Sequence, residues 1–492
     1  MSEIESFKNP VLDMFDAPQF DDSLAYDEEF ELLADSGSTI APATKNITFQ
    51  ITDKNAFYDL ASSHVQVRFK IVKLDETNFD DGELITLASS GSALFRGAKL
   101  TIDGADVEAG TDAHIRGLLL DLLEHRASDA ATAAQQWFYP EPAASAGKVA
   151  AGTVVEATNP SAIARFNRHK NNAGIVNVST NEVELWIPLA KFFGFVRDNR
   201  AAIIAQAMRI DLDVANDGMG ITKQGTLTYL SRLADGTARI TWCSLWLRKI
   251  VPTDKYKAEI ISKLSSGSQY KKLWKQHDVH PLRPTVPDLA GPQRLSIAHK
   301  FARLGRIYIV AMARGKTVGK GELDGYGAGA DNTVARQAQY YNPGTFDLIN
   351  YKNASVQVNG TSFPAKPYIM DFSKGQYQRA YEAWLEAVRS HNGDTDVDTI
   401  DYATFKKCYP ILTFDINSPG QALYDQTSQS EILLSFEMDN SPVMTPYSTA
   451  TAETQPTVRD KEYTLYAIVE SYRGGDLSAV DGFMKFTSIS AM

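Results

Sequence analysis

The stretch ARGKTVGKGELDGYGAGAD, residues 313–331, holds the residue types of a phosphate cradle. A phosphate loop needs a glycine five positions ahead of its Gly-Lys pair, so that consecutive amides can wrap the anion. Gly315-Lys316-Thr317 supplies the pair and the hydroxyl, but position 310 is Val310. GYGAGA, residues 325–330, fails the dinucleotide spacing because Ala330 stands where the third glycine belongs. A solvent-facing loop is the expectation. His277 and His280 could share a metal, but two ligands make no site and no further His or Cys cluster joins them; a surface loop is expected there too. Asp80-Asp81 and Asp394, Asp396 and Asp398 sit in polar, loop-like sequence where carboxylates are solvated. The nucleophile-elbow pattern is absent: SSGSALF, residues 89–95, does not satisfy it. No catalytic residue, metal ligand or cofactor is therefore expected.

Only two cysteines occur, Cys243 and Cys408, each in or beside an apolar strand-like run, so buried thiols are expected and the fold must rest on its cores. The 492 residues suffice for two or three domains. MSEIESFKNP at the start has no apolar core of a signal peptide. Net charge is −11, and its placement is uneven. Residues 1–44 hold eleven acids against Lys8, leaving 49 acidic and 48 basic residues elsewhere. A nearly neutral body has no drive towards nucleic-acid phosphates, so no direct sequence-specific nucleic-acid binding is expected. The acidic arm also carries Phe7, Phe15, Phe20, Tyr26 and Phe30. It is expected to be extended or disordered, with these aromatics docking on a neighbouring subunit or a basic partner.

The remaining pattern belongs to strands. NITFQIT (46–52) and HVQVRFKIV (64–72) alternate apolar and polar residues, the mark of half-buried antiparallel strands. LFRGAKLTIDGADVEAG (94–110) contains Asp103-Gly104, a hairpin turn in which both residues need positive φ. Asp112 is the expected N-cap of a following helix with Ile115, Leu118, Leu119, Leu122 and Leu123 on one stripe. Further strands are expected at 183–190, 207–214, 226–230 and 240–251. The second half repeats this order. Asn359-Gly360 makes the turn, a helix with Tyr377, Tyr381, Trp384 and Val388 buried runs to His391, and strands follow at 409–416, 431–438, 462–472 and 483–490. Trp186, Ile210 and Leu245 correspond to Leu412, Leu434 and Tyr466 at nearly constant offset, so the chain reads as an internal duplication of a β-rich unit. The expected fold is all-β with a few short helices: two tandem eight-stranded antiparallel jelly rolls. Residues 1–44 are the arm, 45–252 the first roll, 253–293 a Pro-rich connector and 294–492 the second roll.

ITFQITDKNAFYDLASSHVQVRFKIVK (47–73), LFRGAKLTIDGADVEAGTDAHIRGLLLDLLEHRASDA (94–130), VELWIPLAKFFGFVRDNRAAI (183–203) and YPILTFDINSP (409–419) resemble, in block order and spacing, the double jelly-roll viral major capsid proteins of the Polinton/Maverick and adintovirus type. The resemblance implies a structural protein of a DNA virus, without enzymatic activity. It implies a homotrimer whose six rolls tile as a pseudo-hexagon in an icosahedral shell around the genome. The implied partners are the chain itself, neighbouring capsomers, and penton and minor capsid proteins; membrane contact is left open. The implied location is the virion capsid, made inside the host cell. The rival reading is a tandem jelly-roll carbohydrate-binding protein or hydrolase, with Trp137 and Trp384 lining a cleft; core packing is the simpler account of both.

Overall fold

The computed structural model describes residues 23–141, 161–168, 182–282, 291–313, 344–416, 431–438 and 463–490, short gaps within these spans apart. Eight strands build the first roll: β1 (Leu24–Leu33), β2 (Asn46–Ile51), β3 (Phe57–Lys73), β4 (Phe95–Ile102), β5 (Ala105–Thr111), β6 (Val183–Pro188), β7 (Met208–Val214) and β8 (Gly236–Pro252). Eight more build the second: β9 (Tyr270–Pro281), β10 (Gly291–Ile297), β11 (Leu304–Ala313), β12 (Tyr351–Val358), β13 (Thr361–Ile369), β14 (Leu412–Asp415), β15 (Ile432–Met438) and β16 (Tyr463–Val480). In the first roll the sheets run β1-β8-β3-β6 and β2-β7-β4-β5; in the second, β9-β16-β11-β14 and β10-β15-β12-β13. Adding eight to each strand of the first pair reproduces the second. This is the double Greek-key order of a jelly roll, twice. The paired residues Trp186 and Leu412, Ile210 and Leu434, and Leu245 and Tyr466 lie on equivalent strands.

Period-two sequence explains the sheets. Along β3, Val65, Val67, Phe69 and Ile71 are fully buried while His64, Gln66, Arg68 and Lys70 between them are half-buried. The two turns match in detail. Asp103 and Gly104 have φ 48° and 80°, and Asn359 and Gly360 have 47° and 82°. Asp103 exchanges backbone and side-chain hydrogen bonds with Ala207 just before β7, and Asn359 does the same with Glu431 just before β15. Each turn is thus bolted to the strand beyond its own hairpin. No heavy atom lies within 4 Å of a Cβ built on Gly104 or Gly360. The penalty of Gly104→Ala or Gly360→Ala is therefore conformational alone, and each should lower stability by about 1 kcal/mol in a thermal melt. A neutral result would show that the left-handed turn is not required.

Three expectations change. β1 lies inside the stretch expected as an extended or disordered arm, and it is the first strand of the first roll. The stretch expected as a Pro-rich connector, where DKYKAEIISKL reads as a short helix, does hold that helix (Asp254–Ser265), but it then holds β9 and the start of β10, one edge strand from each sheet of the second roll. Both β1 and β9 are edge strands whose acids, lysines and histidines mask the alternation on which a sequence reading depends. Asp112 stands at the N-cap of α1 (Ala113–Glu124), but its φ of 53° is left-handed and its side chain caps nothing. The chain must turn sharply from β5 into α1, and Asp tolerates that conformation. The helix after β13, α2 (Gln378–Asn392), buries Trp384 and Val388 and ends at Gly393 with φ 72°, as its sequence predicts.

The cores are not separate along the chain. The α1 residues Leu118, Leu119, Leu122 and Leu123 belong to the hydrophobic cluster of the second roll. Trp274 of β9 belongs to that of the first. Each half inserts an apolar element into the other.

Candidate functional site: the charged seam between the rolls

The helix AHIRGLLLDLLE is apolar nearly all round, yet Arg116 and Asp121 are buried within it at 2% and 3% exposure. Gly117 allows it to lie against the turn at 91–94: a Cβ there would sit 1.9 Å from Ser92 Oγ. Arg116 donates to the Phe192 carbonyl at 2.8 Å and lies 3.9 Å from Glu108. Glu108 accepts from the Gly194 and Phe195 amides at 3.0 and 2.9 Å, capping the short helix 194–198. Burial pushes the Glu108 carboxyl up; Arg116 and the two amides act against that.

This helix grips β9 of the other roll. Lys275 N–H donates to Asp198 at 2.6 Å, and its carbonyl accepts from Arg197 at 3.0 Å. Phe195 meets Trp274 edge-on at 5.1 Å. Gly194 is required by close approach, since a Cβ would lie 1.9 Å from the Lys275 carbonyl oxygen. Arg473 of β16 reaches back to the Val107 carbonyl on β5 at 3.2 Å. At the far end of α1, Lys191 Nζ lies 2.6 Å from Asp121 and 2.5 Å from Glu124, and Glu124 is 3.5 Å from His391 on α2. Asn392 caps the same junction by donating to the Leu123 carbonyl at 2.7 Å. Burial works against both charges, but their mutual attraction outweighs it: Lys191 is held above its usual range and Glu124 below.

His277 and Glu470 face each other at 3.4 Å, both 2% exposed, with Lys275 at 3.9 Å from the carboxylate. Gly305 makes the room: its Cβ would come within 2.5 Å of Glu470 Oε1. Burial holds the His277 pKa down to about 4, so the ring is neutral at pH 7. Burial would raise Glu470, but His277, Lys275 and Arg306 outweigh it and hold the carboxylate at about 2. His280, three residues on, instead approaches His299 at 3.1 Å. The expected surface loop at His277 and His280 is thus a strand with one ring fully buried. Among the described residues no three His, Cys, Asp or Glu side chains are placed to hold a metal.

The chemistry of this seam is mechanical. Its carboxylates are engaged by amides and cations, and both cysteines are buried free thiols. Buried pairs of this kind add little net stability, because desolvation offsets attraction, but a misplaced partner leaves a bare charge. An orientation of the rolls that separated these pairs would leave buried charges uncompensated.

Of the residues singled out in the sequence, the two turns lie at equivalent corners of the two rolls. Phe7, Phe15 and Phe20 lie outside the described residues, as do 314–331, Asp80-Asp81 and Asp394, Asp396 and Asp398. Phe30 packs on Tyr58 of its own roll with ring centres 6.3 Å apart, whereas Tyr26 is 51% exposed. The strand's acids meet their own sheet: Asp27 lies 2.5 Å from Arg248 and Glu28 3.6 Å from Lys249. Trp137 and Trp384 are fully buried, as core packing requires. Glu108, Arg116, Lys191, Trp274 and Glu470 went unnoticed. The available signal was a charge inside an apolar run, as Arg116 and Asp121 stand among leucines and Glu470 follows AIV.

No family model matches the chain, and no curated protein matches it. Solved structures do. VP54 of PBCV-1, fitted into a cryo-EM reconstruction of the virophage Sputnik, matches with a TM-score of 0.54 at 11% identity, covering 96% of this chain and 99% of that one. The Sputnik virophage structure solved by cryo-EM matches at 0.53 and 9%, covering 95% and 90%. The Faustovirus major capsid protein matches at 0.51 and 10%, covering 94% and 92%. At such identities the likeness speaks to the fold, a double jelly roll over nearly the full length of each chain.

Proposed function

We propose that this chain is a viral major capsid protein, a structural protein without catalytic activity. It trimerises into a pseudo-hexagonal capsomer and tiles an icosahedral shell around a DNA genome, as part of the virion. The observation that carries this reading is the repeated sheet order locked by a buried seam, which gives each chain two nearly equivalent edges of a tile. Its whole-length likeness to the Faustovirus major capsid protein supports it. The block order of residues 47–130 further suggests the Polinton/Maverick and adintovirus type. We place the first roll at 24–252 and the second at 270–490, with the helix 254–265 joining them. Partners are further copies of the chain, then penton and minor capsid proteins. Among the described residues no helix is long and apolar enough to cross a membrane.

Light scattering and negative-stain microscopy of the expressed full-length protein test this. The expected result is a trimer of the 54.2 kDa chain and flat hexagonal particles or shells. A monodisperse monomer at micromolar concentration, with no particles, would overturn the reading.

A further inference from the structure

The helix that joins the rolls, Asp254–Ser265, is thinly covered. It lies beside β16, yet none of its described side chains is fully buried; Lys257 and Ile260 are half-buried and the others exposed. A helix of this length is marginal in water, and in folded proteins such helices are held by an apolar face that packs. Tyr256 and Ile260 are four residues apart and so share a face, and Tyr256 is 42% exposed. Lys255 and Lys257 stand in the first turn, where the helix dipole disfavours cations. Further along, Lys263 is already engaged by Glu259 at 2.7 Å. The first half of the helix thus offers an apolar patch flanked by two lysines.

The course of the chain adds a second observation. The Ser23 carbonyl accepts from the Thr253 amide at 2.9 Å, and Leu24 stands opposite Pro252, so residues 1–22 lead away from the N-terminal end of this helix. Leu24 and Tyr26, at the same end of the sheet, are 40% and 51% exposed. Residues 1–22 hold six acids against Lys8, with Phe15 and Phe20 among them. Where the acidic stretch continues into β1, its acids pair with β8: Asp27 with Arg248 and Glu28 with Lys249. β1 and β8 run antiparallel. Just upstream of β1 the next acids are Asp22 and Asp21, and just downstream of β8 the next cations are Lys255 and Lys257.

We propose that residues 13–22 dock on the helix Asp254–Ser265 of their own chain, with Asp21 and Asp22 beside Lys255 and Lys257 and Phe20 over Tyr256 and Ile260. The acceptor of the acidic segment is then the joint between the rolls, in place of a neighbouring subunit or a basic partner, and the docked segment braces that joint. The acids offset the two lysines and the positive end of the helix together. Ser23 is already tied to the start of the helix, so the docking is intramolecular and favoured by a high effective concentration. Reach is no obstacle: twelve helical residues span about 18 Å, and residues 15–22 extend over about 26 Å. The proposal does not depend on the capsid reading.

Hydrogen–deuterium exchange of the full-length protein tests this against a deletion of residues 2–22 and against the full-length double variant Asp21→Lys/Asp22→Lys. Both changes should speed exchange across 254–265 by about tenfold, the loss of two exposed ion pairs and one aromatic contact. Exchange across 24–33 should stay as it was. Where the deletion loosens β1 as well, the double variant decides. Exchange across 254–265 that neither change alters would overturn the docking. A second measurement identifies the acceptor. Asp22→Cys with Lys255→Cys in one chain should give an intrachain disulfide on mild oxidation, since the native Cys243 and Cys408 are buried and do not compete. Chains carrying one of these cysteines each, mixed and oxidised, should stay uncrosslinked. An interchain disulfide in the mixture, with none inside the doubly substituted chain, would place the segment on a neighbouring copy and overturn the assignment to its own chain.

Discussion

Replacing Trp274 by alanine will lower the stability of the first roll by about 3–5 kcal/mol, although the residue belongs to a strand of the second. The indole is 1% exposed, lies in the first roll's core and meets Phe195 edge-on at 5.1 Å. Its neighbour Lys275 makes the backbone bonds to Arg197 and Asp198 at 3.0 and 2.6 Å, so the cavity opens beside the grip of the seam. Guanidinium unfolding should change from one transition to two as the rolls uncouple. Trp384→Ala is the control: that residue is equally buried, but in the second roll's own helix. It should destabilise the second roll without splitting the transition. Equal behaviour of the two variants would mean that Trp274 is an ordinary core residue and the seam no lock.

Buried histidines will draw stability from the fold as the pH falls from about 6.5 to about 4. Burial holds His277 at about 4; burial, with the charges of His280 and Arg473, holds His299 at about 3. Unfolded histidines take up protons near pH 6.5. Between these values the unfolded chain binds protons that the fold refuses, so stability is full above pH 6.5 and falls with pH. His277 faces Glu470, Lys275, Arg197 and His391, so no apolar refuge lets it titrate alone. The raised carboxyls of Glu108, Asp121 and Asp278 work in the opposite sense, because they accept protons in the fold. The comparison that isolates the histidine is therefore His277→Gln against the unaltered protein. The urea midpoint of the variant should depend less steeply on pH from 6.5 to 4. An unchanged slope would remove His277 from the account.

Much of the architecture is legible in the sequence. Alternation at 46–52 and 64–72 placed β2 and β3, and Asp103-Gly104 with Asn359-Gly360 located both hairpins, because a two-residue loop with positive φ accepts few residues. The duplication followed from element order alone. β1 and β9 were lost because an edge strand need not be apolar: acids and lysines answer to solvent on the open side and hide the period. The Asp112 N-cap was right in place and wrong in mechanism, since a cap is a backbone conformation that residue type only permits.

Local pattern and turn chemistry determine what each roll is, because strand period and turn conformation act over a few residues and are written there. Which roll owns which core was settled only in three dimensions. Nothing in AHIRGLLLDLLE says that its leucines pack on strands some 190 residues later, or that Arg116 will sit by Glu108. Such choices depend on which surfaces meet after the sheets have formed, and on the cost of leaving a buried charge without its partner. The seam is long-range packing and electrostatics, which a sequence read locally does not carry.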